Sequence, residues 1–129
     1  MTGETAICWL RRDLRLHDHA SLYHALRSGL PVTCVFIFDQ HILGKLEDRF
    51  DRRVTFIYRQ LLHLDAMLRR YGSTLVVRYG TPAEVWKRLL SEFPVRAVYT
   101  NHDYEPAATG RDEEIRKLLE QAGVPFRTF

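Results

Sequence analysis

The chain has 129 residues, 46% hydrophobic and 27% charged, the size and balance of one globular domain around a single core. No apolar run approaches the ~18 residues needed to cross a bilayer, and the N-terminus lacks the charged-then-apolar layout of a secretion signal, so a cytoplasmic protein without membrane contact is expected. The net charge is +3, from 19 basic and 16 acidic residues. Nearly all the basic residues are arginines, scattered among acids rather than blocked together, which argues for an ion-paired surface more than for a DNA-binding face.

In chain order, Thr5 to Leu10 is an apolar run containing Ile7, Cys8 and Trp9 and reads as a buried strand. Asp18 or Ser21 can cap a following helix, with Leu22, Ala25 and Leu26 inward and Gly29 ending it. Val32 to Phe38, rich in β-branched and aromatic residues, is a second strand. Cys8 and Cys34 fall inside these two runs without Cys-x-x-Cys spacing, so they read as buried, reduced core residues, with neither disulfide nor zinc site. Val54, Ile57, Leu61, Leu64 and Leu68 step by three and four and predict a long amphipathic helix. Leu75 to Tyr79 is a third strand. Thr81-Pro82-Ala83-Glu84 has the form of a capping box, opening a helix that buries Val85, Leu89 and Phe93. Ala97 to Asn101 is a fourth strand. Ile115, Leu118, Leu119 and Ala122 mark a last helix ended by Gly123, and Val124 to Phe129 is a fifth strand.

Strands apolar throughout and alternating with helices predict an α/β fold: a doubly wound, Rossmann-like, five-stranded parallel sheet with helices on both faces and strand order 3-2-1-4-5. In such a sheet ligands bind beyond the carboxyl ends of the strands where the order reverses. Strands one and four flank that point, placing Arg11, Arg12 and Asn101 around one crevice. The two long connections, Asp39 to Phe50 and His102 to Gly110, are expected to be functional.

Several chemistries find little support. The seven glycines form neither Gly-x-Gly-x-x-Gly nor a Walker loop, since Gly44-Lys45 has Asp39 where the first glycine belongs, which weakens a stand-alone nucleotide-binding domain of the same superfold. There is no Gly-x-Ser-x-Gly elbow for a hydrolase. His17 and His19 flank Asp18 without a third ligand in view and read as capping or surface residues rather than as metal ligands. Arg11, Arg12 and Arg15 around Asp13 could hold an anion, or could form a salt-bridged loop that braces the strand.

The run Trp9-Leu10-Arg11-Arg12-Asp13-Leu14-Arg15-Leu16-His17-Asp18-His19-Ala20-Ser21-Leu22 resembles the opening signature of the photolyase and cryptochrome family, with Leu10 in place of the usual Phe and His19 in place of the usual Asn. Asn101-His102-Asp103-Tyr104-Glu105-Pro106, followed by Arg111-Asp112 opening the last helix, is similar to the family's segment after strand four. The resemblance spans the whole chain but only about the first third of a photolyase. It implies that residues 1–129 are one N-terminal antenna domain, whose chromophore passes excitation to FAD in a C-terminal helical domain of the same protein. In the full-length protein that flavin splits pyrimidine dimers in damaged DNA. The flavin cavity and dimer pocket belong to the helical domain, so no catalytic residue is expected here and the chain alone should be silent. The chain's end within the fifth strand, with no polar tail, fits a fragment of such a protein. A cryptochrome-type photosensor is the alternative.

The residues expected to line the chromophore site are Trp9, Arg11, Arg12, Phe38, Asp39, Gln40, Asn101, Tyr104 and Glu105. Trp9 at a strand end is either packing or a chromophore contact; Asp39 and Gln40 could bond a ring or simply turn the chain. In folate-binding members an Asn-Glu pair follows the Tyr-Glu, whereas here the matching positions are Ala107 and Ala108. A pterin edge lacking those partners would lose on the order of 1–3 kcal/mol per unpaired group. A flavin or deazaflavin antenna, or none, is therefore expected over folate.

Overall fold

The computed structural model describes residues 4–11, 19–39, 52–70, 72–73, 75–102 and 106–129. Five strands and four helices lie among them: β1 Thr5–Leu10, α1 Ala20–Leu26, β2 Val32–Asp39, α2 Arg52–Arg70, β3 Leu75–Gly80, α3 Pro82–Glu92, β4 Val95–Thr100, α4 Pro106–Gln121 and β5 Phe126–Thr128. The strands pair in the order β3-β2-β1-β4-β5, every pairing parallel, as the apolar strand pattern predicts.

Side chains alternate across the sheet because successive residues of a strand point to opposite faces. On one face Ala6, Cys8 and Leu10 of β1 pack with Cys34 and Phe36 of β2 beneath Leu22 and Ala25 of α1 and Leu61, Leu64 and Leu68 of α2. On the other, Ile7 and Trp9 pack with Val35 and Val98 beneath Val85, Trp86 and Leu89 of α3 and Ile115 and Leu119 of α4. β1 is buried along its whole length, the requirement for a central strand covered twice.

The helix ends show how local chemistry sets these layers. Thr81 caps α3, its hydroxyl accepting from the Glu84 N–H at 3.4 Å, with Pro82 at the first position where its missing N–H costs nothing. α2 and α4 both end in paired reversed bonds around a glycine in the left-handed region. For α2 these run Ser73 N→Leu68 O at 3.0 Å and Gly72 N→Arg69 O at 3.2 Å, and for α4 Val124 N→Leu119 O at 2.9 Å and Gly123 N→Glu120 O at 3.0 Å, with φ 77° at Gly72 and 76° at Gly123.

The structure also corrects three sequence expectations, the first through these bonds. Val124 is not the first residue of β5: its N–H closes α4, and Pro125 follows with no N–H, so the strand begins at Phe126. β4 starts two residues earlier than its apolar core, at Val95, and stops at Thr100. α4 begins at Pro106 rather than near Arg111, so the supposed long connection after β4 is short and the backbone of Ala107 and Ala108 is helical. Leu26 also departs from expectation. It is 60% exposed, because the short α1 buries only Ser21, Leu22 and Ala25.

Cys8 and Cys34 are register partners on neighbouring strands, both buried and free. A hydrogen bond with Cys34 and burial, in that order, push the Cys8 thiol well above its usual range, so it stays protonated and a poor nucleophile. The native protein is expected to resist alkylation at both cysteines at pH 8 and to label at both in denaturant; rapid modification of the folded protein would contradict this burial. Leu64 is 2% exposed, so Leu64→Ala should cost about 2–5 kcal/mol by the cavity it leaves. Leu26→Ala should cost no more than about 0.5 kcal/mol. Urea denaturation midpoints for the pair check the assignment.

Candidate functional site

The sheet order reverses between β1 and β4, and the alternation of side chains sends the last residues of those strands to opposite walls of one crevice. On β1, Trp9 and Arg11 point toward α3 and α4 and Leu10 toward α1; on β4, Thr100 points toward α4 and Asn101 toward α1. Trp9 and Thr100 are register partners.

On the α4 side, the Thr100 hydroxyl donates to the Trp9 carbonyl at 2.9 Å and accepts from Arg11 Nε at 3.1 Å. Thr100 is fully buried, so both contacts count: each buried polar atom left without one would cost about 1–3 kcal/mol. The Arg11 guanidinium lies 4.3 Å from the Trp9 ring centroid, within cation–π range. Its Nη2 comes to 2.7 Å of Asp112 Oδ1 on α4, with only 15% and 12% of the two side chains exposed. Nη2 and both Asp112 oxygens lack an aligned hydrogen bond, so the contact is chiefly a charge pairing. The indole of Trp9 rests edge-on against Trp86 at 5.5 Å and tilted over Phe126 at 6.4 Å.

On the α1 side, Asn101 Oδ1 accepts the Ser21 N–H at 2.9 Å, tying the end of β4 to the start of the helix. The N-cap is His19, neither Asp18 nor Ser21: its Nδ1 accepts from Leu22 N at 3.1 Å. Ser21 Oγ lies 3.1 Å from the same nitrogen and 3.6 Å from Cys8 Sγ. This serine–histidine contact has the geometry of a base-activated hydroxyl. Yet Ser21 is fully buried and His19 nearly so, and the nitrogen that would take the proton already serves the helix cap. The pair is structural.

Of the candidate residues, Trp9, Arg11 and Asn101 come together at the crevice. Phe38 instead packs in the core of the α1–α2 face, stacked on Tyr79 at 5.0 Å. Arg12, Gln40, Tyr104 and Glu105 lie outside the described residues, as do Asp13, Arg15, His17, Asp18 and the side chains of Asp39, Val54, Ala107 and Ala108. Thr100 and Asp112 also meet at the crevice, through Arg11, and neither was among the candidate residues. Asp112 carried a signal as part of the Arg111-Asp112 motif, while Thr100 looked like the tail of an apolar strand.

The chemistry of this arrangement suits binding and orienting a ligand rather than bond-making. An aromatic floor carries a guanidinium whose charge is matched by a carboxylate, and the opposite rim is fixed by an amide.

Comparison with known proteins accords with this architecture. Cryptochrome-1 of Gallus gallus is 38% identical over 122 residues, covering 95% of this chain and 20% of its own. The photolyase of Sulfolobus tokodaii superposes with a TM-score of 0.84 at 37% identity, over 97% of this chain and 29% of that one. A Synechocystis cryptochrome shares the fold, with a TM-score of 0.88 at 24% identity over the whole chain and 28% of its own. The chain thus spans between about a fifth and a third of the length of these relatives. The DNA photolyase family model matches residues 6–129, all but the first residue of the sheet with its switch-point crevice, and the chain belongs to that family.

Proposed function

We propose that this chain is the light-harvesting domain of a deoxyribodipyrimidine photolyase, holding a flavin- or deazaflavin-type antenna in the crevice between β1 and β4. The observation that carries this reading is the crevice itself, where Arg11 over Trp9 and Asn101 on the opposite rim stand at the switch point where doubly wound sheets bind ligands. The Sulfolobus tokodaii relative adds support, since it was solved with two FAD molecules and an implied novel light-harvesting cofactor. In this reading Trp9, Arg11 and Asn101, with Arg12, Asp39, Gln40, Tyr104 and Glu105, surround the ring. Phe38, buried in the core, supports the wall from behind.

The bound antenna supplies near-ultraviolet and blue absorption and passes excitation onward. The residues described here hold it, exclude water and fix its orientation. Chemistry on DNA falls to a helical, FAD-bearing part of a longer polypeptide, consistent with relatives several times the length of this chain. That helical part and, through it, damaged DNA are the proposed partners, and the cytoplasm the proposed location. No helix among the described residues is long and apolar enough to cross a membrane.

A second reading, a cryptochrome-type photosensor, draws on the 38% identity to Cryptochrome-1. It shares the antenna crevice and differs only in what the longer protein does with the excitation.

Titration of the purified chain with FMN, a 5-deazaflavin and methenyl-folate, followed by fluorescence, should give saturable one-to-one binding of a flavin-type ligand and weak binding of the folate. Tight stoichiometric folate binding would overturn the antenna assignment. The isolated chain should also repair no thymine dimers under near-ultraviolet or blue light. Repair by the chain with no added partner would refute the proposed division of labour.

A further inference from the structure

The arginines look scattered along the sequence, but the fold does not spread their charge evenly. α2 holds five arginines against one aspartate, a surplus of four, while the whole chain is only +3, so everything outside this helix sums to −1. The other long helices are not like it: α3 has two basic residues against two acidic, and α4 three against four. The one acid of α2, Asp65, is engaged by Arg69 at 3.1 Å. Arg59 and Arg70 are exposed and make no ion pair among the described residues. The outer face also carries apolar surface that the core does not use. Leu61, Leu64 and Leu68 turn inward, yet Phe56 is 62% exposed, Tyr58 54% and Leu62 56%. With 3.6 residues per turn, Arg59, His63 and Arg70 fall along one line, about 16 Å from first to last, with Tyr58 and Leu62 on one flank and Phe56 on the other.

We propose that the outer face of α2 binds single-stranded nucleic acid, with Arg59 and Arg70 on phosphates and Tyr58 and Phe56 stacked against bases. A row of guanidiniums bordered by exposed aromatic rings suits a single strand, whose phosphates pair with the arginines and whose unpaired bases stack on the rings. A duplex would use only the charges, since its bases are stacked inside. A bilayer would call for the apolar stripe of the helix to face outward, and in α2 that stripe is committed to the core. The helix packs on β3, at the opposite edge of the sheet from β4 and β5, so this surface is separate from the crevice and does not rest on the antenna reading.

The test is fluorescence anisotropy of a labelled oligothymidylate about 12 nucleotides long, titrated with the whole chain across a range of salt concentrations. Saturable binding is expected, weakening as salt rises because bound phosphates release their counterions. Arg59→Ala and Arg70→Ala should each weaken it and lower the slope of log affinity against log salt by about 0.7. Tyr58→Ala should weaken it about fivefold or more, from one lost stacked base, and leave that slope unchanged. These side chains are exposed, so denaturation midpoints should hold, and a change in binding is then not a change in folding. Arg88→Ala removes the same charge from the exposed face of the balanced helix α3 and should change affinity less than about twofold. No binding at low salt, equal losses from Arg88→Ala and Arg59→Ala, or indifference to Tyr58→Ala would overturn the proposal. So would a duplex of the same length binding as tightly as the single strand, or tighter binding of polyglutamate or of phosphatidylserine vesicles, which would give the face to another partner.

Discussion

The Thr100 hydroxyl is the small group on which the crevice depends. Buried between strands, it donates to the Trp9 carbonyl and accepts from Arg11, so one oxygen locks the carboxyl ends of β1 and β4 together and aims the side chain that crosses between them. Backbone pairing alone brings the strands side by side but does not fix what happens one residue beyond the ladder. With Arg11 held at Nε, its Nη2 reaches Asp112 and its plane falls over Trp9. The α4 face, the sheet and the crevice floor are thereby coupled through a single arginine. Replacing one partner of such a buried pair is costly, about 3–5 kcal/mol in comparable cases.

A different kind of contact fixes the opposite wall. There the donors and acceptors are neutral: an asparagine oxygen on a helix N–H, and an imidazole nitrogen capping the same helix. The crevice therefore has one wall held by charge and one by neutral hydrogen bonds. Strand alternation distributes them this way, since consecutive residues at the end of β4, Thr100 and Asn101, cannot face the same side. Between these walls lie a flat guanidinium stacked on an indole and an amide on the other side, a setting suited to a planar heterocycle.

Most of the fold was legible in the sequence because its strongest signals are local. Val32 to Phe38 has the length and β-branched content of a twice-covered strand, and Leu61, Leu64 and Leu68 mark one stripe of a helix. The errors came where a local signal was outcompeted. His19 is a less favoured cap than Asp18 or Ser21, yet it holds the position because its ring nitrogen reaches Leu22. Pro106 is a good first helical residue, but the charged Arg111-Asp112 drew attention to a later start. The site was legible only in part. Arg11, Trp9 and Asn101 announce themselves by position at the strand ends, whereas Thr100 lies 89 residues from Arg11 and the pairing with Asp112 spans the chain. No periodicity within one segment encodes a partner contributed by another.

The pairing of β1 with β4 also contains an irregularity: Thr5 faces Val95 but Ala6 faces Ala97, so Arg96 is an extra residue in the ladder. Because side chains alternate with a period of two, one surplus residue inverts the phase of everything that follows it. Val95 packs with the α3–α4 face, Ala97 with the α1–α2 face, and Val98 with the α3–α4 face again. That inversion is what turns Thr100 toward Arg11 and Asn101 toward Ser21 at the far end of the strand. Arg96, exposed and in ion-pair contact with the less exposed Glu4, thus acts as a spacer. Its side chain is dispensable to the crevice, but its place in the count is not. Substitution there is a surface event, while deletion would exchange the two walls.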